Sequence, residues 1–118
     1  MMETSPTFSK CARLAACIAV ALVIGGCAFT GNVAPPVTPA LVGAGHGASA
    51  ETLGEGRRIF TGKCSACHAS DPVEKYSTAE WRAAVDKMAP RAKLSADERS
   101  TLLAYLMAVK SLPEDSER

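Results

Sequence analysis

Nowhere does this chain carry a surplus of one charge. Thirteen Lys and Arg face twelve Asp and Glu. Beyond residue 50 the balance is even, eleven of each, once Lys10, Arg13 and Glu3 are set aside. Nucleic-acid binding needs a net basic surface, so nucleic acid is excluded as a partner. Long apolar runs are missing too: the longest, Leu14 to Ile24, falls short of the about 20 residues that a comfortable membrane span requires. No stretch alternates between apolar and polar residues as a half-buried strand would. Histidine is scarce, with only His46 and His68, and no Ser/His/Asp set is present, so any substrate chemistry would lie in a partner and the chain is not expected to be an enzyme.

What is present divides the chain in three. Residues 1–27 open with a short polar stretch carrying Lys10 and Arg13, continue through the apolar run and close on small residues. That order is an export signal. Its exit, Ile24-Gly25-Gly26-Cys27, resembles the bacterial lipobox, which implies that Cys27 becomes a lipidated N-terminus and that Cys11 and Cys17 leave with the signal. Ala48-Ser49-Ala50 offers an alternative cleavage site, though far beyond the apolar run, and an uncleaved anchor would give the same topology.

Residues 28–50 hold Pro35, Pro36, Pro39, Gly43, Gly45 and Gly47 and not one charge. This composition predicts a linker, extended and then flexible, with a reach on the order of 30 Å. The folded part is then 51–118. A domain this small usually needs a disulfide, a metal or a large cofactor to complete its core. Only Cys64 and Cys67 remain inside it.

Three helices are expected in 51–118, and the domain is predicted to be all-α. The first covers about Leu53–Thr61, capped by Thr52, with Leu53, Gly56, Ile59 and Phe60 on one face. The second starts at the capping box Ser77-Thr78-Ala79-Glu80, buries Trp81, Ala84, Val85 and Met88, and stops at Pro90. The third starts at a second box, Ser95-Ala96-Asp97-Glu98, and runs through Leu102, Leu103, Tyr105, Leu106 and Val109 to Ser111 and Pro113.

The chemistry concentrates in Gly62-Lys63-Cys64-Ser65-Ala66-Cys67-His68. A dithiol redox site would use Cys64-x-x-Cys67 near a βαβ pattern, which this chain lacks. A structural zinc site wants four ligands, usually in two close pairs, and there is only one cluster, with His46 stranded in the linker. The third reading is one covalent haem c. The two thiols add to the porphyrin vinyl groups, and the adjacent His68 becomes the proximal iron ligand. An exported chain strengthens that reading, because c-type haem is attached outside the cytoplasm, and a small core gains a large apolar centre.

Residues 51–118 resemble a small monohaem class I cytochrome c. Gly56, Phe60 and Cys64 follow at intervals of four, Leu102 stands three before Tyr105, and Leu94–Leu106, LSADERSTLLAYL, is similar to the closing helix of that family. The resemblance implies that the glycine-bearing helix crosses the last helix closely. It also implies a distal methionine shortly before the LSxxE helix, which is the place of Met88. Trp81-Arg82-Ala83-Ala84-Val85-Asp86-Lys87-Met88 is similar to the W-x-x-x-V-x-x-M segment of some short cytochromes. Met88 stands only twenty positions after His68, a shorter loop than in many class I domains, so a more exposed haem edge is expected. Met107 and His46 are the other candidates for the sixth ligand, with core packing and a solvated linker as their ordinary roles.

Around the pocket, Trp81 is expected to pack near the haem and Pro72 to offer its carbonyl region to His68. Arg57, Arg58, Lys63 and Lys75 are candidates to ring the haem edge. Taken together, the expectation is electron transfer with His68/Met88 ligation at the periplasmic side of the cell envelope. The chain would be lipid-anchored through Cys27 and would serve redox partner proteins, as a monomer or as a subunit of a redox complex. The alternatives are a haem-based sensor, should Met88 not ligate, and the haem subunit of a larger oxidoreductase.

Overall fold

The computed structural model describes residues 33–113. The export signal and Cys27 lie outside the described residues. Four α-helices are present: α1 Pro39–Ala44, α2 Ala50–Ile59, α3 Thr78–Met88 and α4 Ala96–Lys110. A π-helical turn, Phe60–Cys64, continues α2, and a 3-10 turn, Val73–Lys75, precedes α3. Among the described residues there is no strand.

The two capping boxes form as their sequences require. Ser77 Oγ accepts from Glu80 N while the Glu80 carboxylate accepts from Ser77 N, and Ser95 and Glu98 repeat the exchange. Each box satisfies two of the backbone N–H groups that a helix start leaves without partners. The first long helix starts earlier than expected. Ser49, rather than Thr52, is its cap, accepting from Thr52 N at 3.1 Å, so the α-helix covers Ala50–Ile59 and Thr61 falls in the π turn. The wider ring of a π turn re-aims the residues that follow it, and here Cys64 closes it.

α2 and α4 form the central pair, and α3 packs against α4. Leu53, Ile59 and Phe60 from α2 and its extension meet Leu102, Tyr105, Leu106 and Val109 from α4, with Trp81 and Val85 from α3 closing the core. Edge-on ring contacts link Phe60 to Trp81 (centroids 5.7 Å apart) and Tyr76 to Trp81 (5.2 Å), an arrangement aromatic quadrupoles favour.

One expectation is overturned. The segment expected to be a linker across 28–50 is part of the fold from residue 33 onward. Thr38 caps α1 by accepting from Leu41 N, with Pro39 in its first turn. Leu41 is fully buried and Ala34 nearly so. The Arg57 side chain donates from Nε to the carbonyls of Ala34 and Pro35, each at 3.1 Å, and Tyr105 Oη donates to Pro35 O at 2.7 Å. Before α1 begins, the carbonyls of Ala34 and Pro35 are thus satisfied by side chains from α2 and α4, whereas from Thr38 onward the segment bonds within itself. His46 adopts φ 49° in the turn between α1 and α2 and lies 3.4 Å from Ser111 Oγ.

Candidate functional site

Below the crossing of α2 and α4 lies a largely apolar cavity of about 460 Å³, within the range of about 300–1,000 Å³ common for cofactor and ligand sites. Its walls come from the π turn, the loops that follow it, α3, the turn after α3, and α4. The end of the π turn and the following loop supply Lys63, Cys64, Cys67 and His68. The next loop gives Ser70, Asp71 and Tyr76. Helix α3 contributes Trp81, Ala84, Val85 and Met88, the turn after it Ala89, Arg91, Ala92 and Leu94, and α4 closes the far wall with Leu102 and Leu106 beside Phe60.

Cys64, Cys67, His68 and Met88 are therefore on one cavity, although Met88 is twenty positions along the chain from His68. The other two candidates for a distal ligand do not line it. Met107 packs half-buried against the core, and His46 sits beside Ser111.

Burial pushes the Cys64 thiol above its ordinary pKa. A thiol held neutral in this way is a poor thiolate nucleophile, which weighs against a dithiol-exchange role for the pair. Cys67 and His68 are exposed. His68 Nδ1 lies 3.0 Å from Ala69 O, and Pro72 O accepts from Lys75 N, so the carbonyl beside the imidazole is that of Ala69 and not of Pro72. Among the described residues no group of three or more His, Cys, Asp or Glu side chains gathers closely enough to hold a metal ion.

The loop that follows the motif is tied down at several points. Ser65 Oγ donates to Phe60 O and lies 2.8 Å from Ser70 Oγ. Asp71 receives Lys75 Nζ at 2.7 Å and Tyr76 Oη at 2.8 Å. These two donors hold its carboxyl below the usual carboxylate range, Lys75 contributing most. Trp81 lines the cavity, and its indole N–H donates to Val73 O at 2.7 Å in the buried interior. The short capping-box helix α3 thus carries both a cavity wall and the clamp on the opposite loop.

The four cations expected near the rim divide differently. Lys63 lines the cavity and pairs with Glu98 at 2.6 Å. Lys75 lies off the wall and pairs with Asp71, which is on it. Arg58 pairs with Glu55 on α2, and Arg57 is committed to the N-terminal segment. Arg91, which the sequence pattern gave no reason to single out, takes a place on the wall. Asp71 and Tyr76 were likewise not legible as wall residues. The one signal was their position, three and eight residues past His68, where the chain must turn back toward α3.

The residues fit a covalently attached porphyrin. Two thiols, an imidazole and a thioether face one cavity whose remaining wall is aromatic and aliphatic, the donor set that c-type haem uses. Among the described residues, no helix is long and apolar enough to cross a membrane. No protein-family model, no curated protein and no solved structure matches this chain, so the functional reading rests on the motif and on the cavity it lines.

Proposed function

We propose that this chain is an electron-transfer protein carrying one haem c, attached through Cys64 and Cys67, with His68 as proximal and Met88 as distal iron ligand. The observation that carries the proposal is that these four residues line the same apolar cavity. When bound, the haem supplies a one-electron ferrous/ferric couple. The chain's own residues supply the setting. Cys64 ends a π turn fixed by the α2 core contacts, and His68 follows on a loop held by Asp71, Tyr76 and Trp81. Met88 ends a helix whose inner face, Trp81 and Val85, is buried. His68 and Met88, each mounted on an anchored element, would hold the iron in both oxidation states with little rearrangement, and a methionine ligand would raise the potential. Phe60, Trp81, Leu102 and Leu106 keep water from the cavity's interior, while Cys67 and His68 lie toward solvent, where electron exchange with a partner is short-range.

The same proposal places the protein at the periplasmic side of the cell envelope, exported by residues 1–27 and lipid-anchored through Cys27. Redox partner proteins would be its donors and acceptors. Confinement at a membrane would raise their effective concentration.

The test is the full chain produced in a host that attaches c-type haem. Mass spectrometry of the mature protein reads haem attachment, cleavage and lipid together, and reduced-minus-oxidised spectra read the haem type. The expected result is one haem per chain, c-type bands, and a methionine–iron charge-transfer band in the ferric protein that Met88→Ala removes. A protein without c-type bands would overturn the reading. Ready carbon monoxide binding by the unaltered ferrous protein would overturn Met88 as ligand and leave a gas-binding module.

A further inference from the structure

Asp71 faces the cavity and Lys75 does not. Asp71 and Tyr76 are both wall residues, whereas the ammonium of Lys75 reaches Asp71 Oδ1 from outside the lining set. The phenol of Tyr76 is bonded to Oδ2 and its ring stands edge-on to Trp81. Lys75 Nζ also lies 5.2 Å from the Tyr76 ring centroid. Lys75 and Asp71 form a partly exposed ion pair, braced by Tyr76, whose acidic member lies on the cavity wall and whose basic member lies off it. The other charged wall residues are Lys63, already paired with Glu98, and Arg91. Asp71 is thus the only acidic residue on the wall among the described residues.

We propose that Asp71 is a positioning and potential-setting residue: its carboxylate, oriented by Lys75 and Tyr76, places negative charge beside the centre held by His68 and lowers its reduction potential. This inference rests on the haem reading above. The physical reason is Coulombic. Oxidation adds one positive charge at the iron, so a nearby negative charge stabilises the oxidised state. Lys75 opposes that effect from a greater distance and only in part. Tyr76 donates to the carboxylate and draws off some of its charge. A loop clamp without electrostatic effect would give no reason for the sign of any shift, whereas the ion pair dictates one.

The experiment compares midpoint potentials of the full-length holoprotein with Asp71→Asn, Lys75→Met and Tyr76→Phe, by spectroelectrochemistry at low and high salt. Asp71→Asn keeps the size and one of the two accepting oxygens and removes the charge, so its potential rises. Lys75→Met leaves the carboxylate less compensated, so its potential falls, and Tyr76→Phe shifts it in the same downward direction. Both charge-variant shifts narrow at high salt, because the pair is partly exposed and screened. Thermal melts of the same proteins separate loosening of the loop from the charge effect. If Asp71→Asn does not accumulate, Lys75→Met, an exposed substitution, decides the matter by its sign. Potentials that stay unchanged, or that move the same way in Asp71→Asn and Lys75→Met, overturn the inference. Absence of c-type haem from the unaltered protein overturns the functional reading instead.

Discussion

Gly56 lies against Tyr105 with no room for a side chain: a Cβ on it would fall 2.6 Å from Tyr105 Cβ and 2.5 Å from the Thr101 carbonyl oxygen. Helices α2 and α4 can cross this closely only because one of them presents bare backbone at the contact. The crossing in turn fixes where Phe60 and Leu106 stand, and so fixes the upper wall of the cavity.

Gly56→Ala is therefore expected to destabilise the protein by about 1–3 kcal/mol, since the obstructing oxygen belongs to a helix backbone and cannot rotate away. Gly54, two residues earlier on the same helix, has nothing within 4 Å of its would-be Cβ. Gly54→Ala should stabilise by up to about 1 kcal/mol through helix propensity alone. Urea denaturation of the two variants beside the unaltered chain measures both, and equal effects would mean that the close crossing is not what Gly56 serves.

Leu41→Ala tests whether the N-terminal segment belongs to the domain. Leu41 has no exposed surface, and Gly45 in the same segment packs over Leu53. A buried leucine truncated to alanine costs about 2–5 kcal/mol, so the denaturation midpoint should fall clearly. In a solvated linker the same change would leave the midpoint where it was.

Trp81→Phe keeps an aromatic ring in the core but removes the donor to Val73 O. Leaving that buried carbonyl without its partner costs about 1–3 kcal/mol. Because the bond also holds the loop behind His68, amide hydrogen exchange of residues 69–76 should accelerate in the variant more than exchange within α4. Uniform acceleration would show that the indole N–H acts on global stability alone.

The acid side of the stability profile should fall as the two capping boxes lose their charge. The Glu80 carboxyl is held below its ordinary pKa chiefly by the Ser77 backbone N–H, and Glu98 chiefly by Lys63 and then by the Ser95 backbone N–H. A carboxylate whose folded pKa is depressed contributes stability above its unfolded value, and that stability is lost as pH falls through the folded one. Thermal midpoints should thus hold steady above the ordinary glutamate range and drop below it. In Glu80→Gln with Glu98→Gln the drop should be shallower, with a lower plateau at neutral pH. A drop of unaltered steepness would assign the acid sensitivity elsewhere.

How much of this was written in the residues depends on how local each interaction is. Ser77-x-x-Glu80 and Ser95-x-x-Glu98 close within one helical turn, so both helix starts could be read directly. The buried faces of α2, α3 and α4 followed from apolar spacing in the same way. The start of α2 was misplaced by a few residues because Ser49 and Thr52 are both competent caps, and only the chain entering from α1 selects between them. The N-terminal segment was misread for a deeper reason. Its prolines and glycines show no period, and its order comes from Arg57 and Tyr105, the latter 70 residues away.

The sequence by itself determined the chemistry on offer: two thiols at a fixed separation, an imidazole beside the second, and a thioether on a helix face. These are matters of residue type and short spacing. Tertiary structure alone decided that the four share one cavity of about 460 Å³, that Asp71 and Arg91 join its wall, and that Arg57 turns away to the N-terminal segment. The physical reason is that enclosure and the orientation of charge arise from the packing of α2, α3 and α4 against one another. No short stretch of the chain carries that information alone.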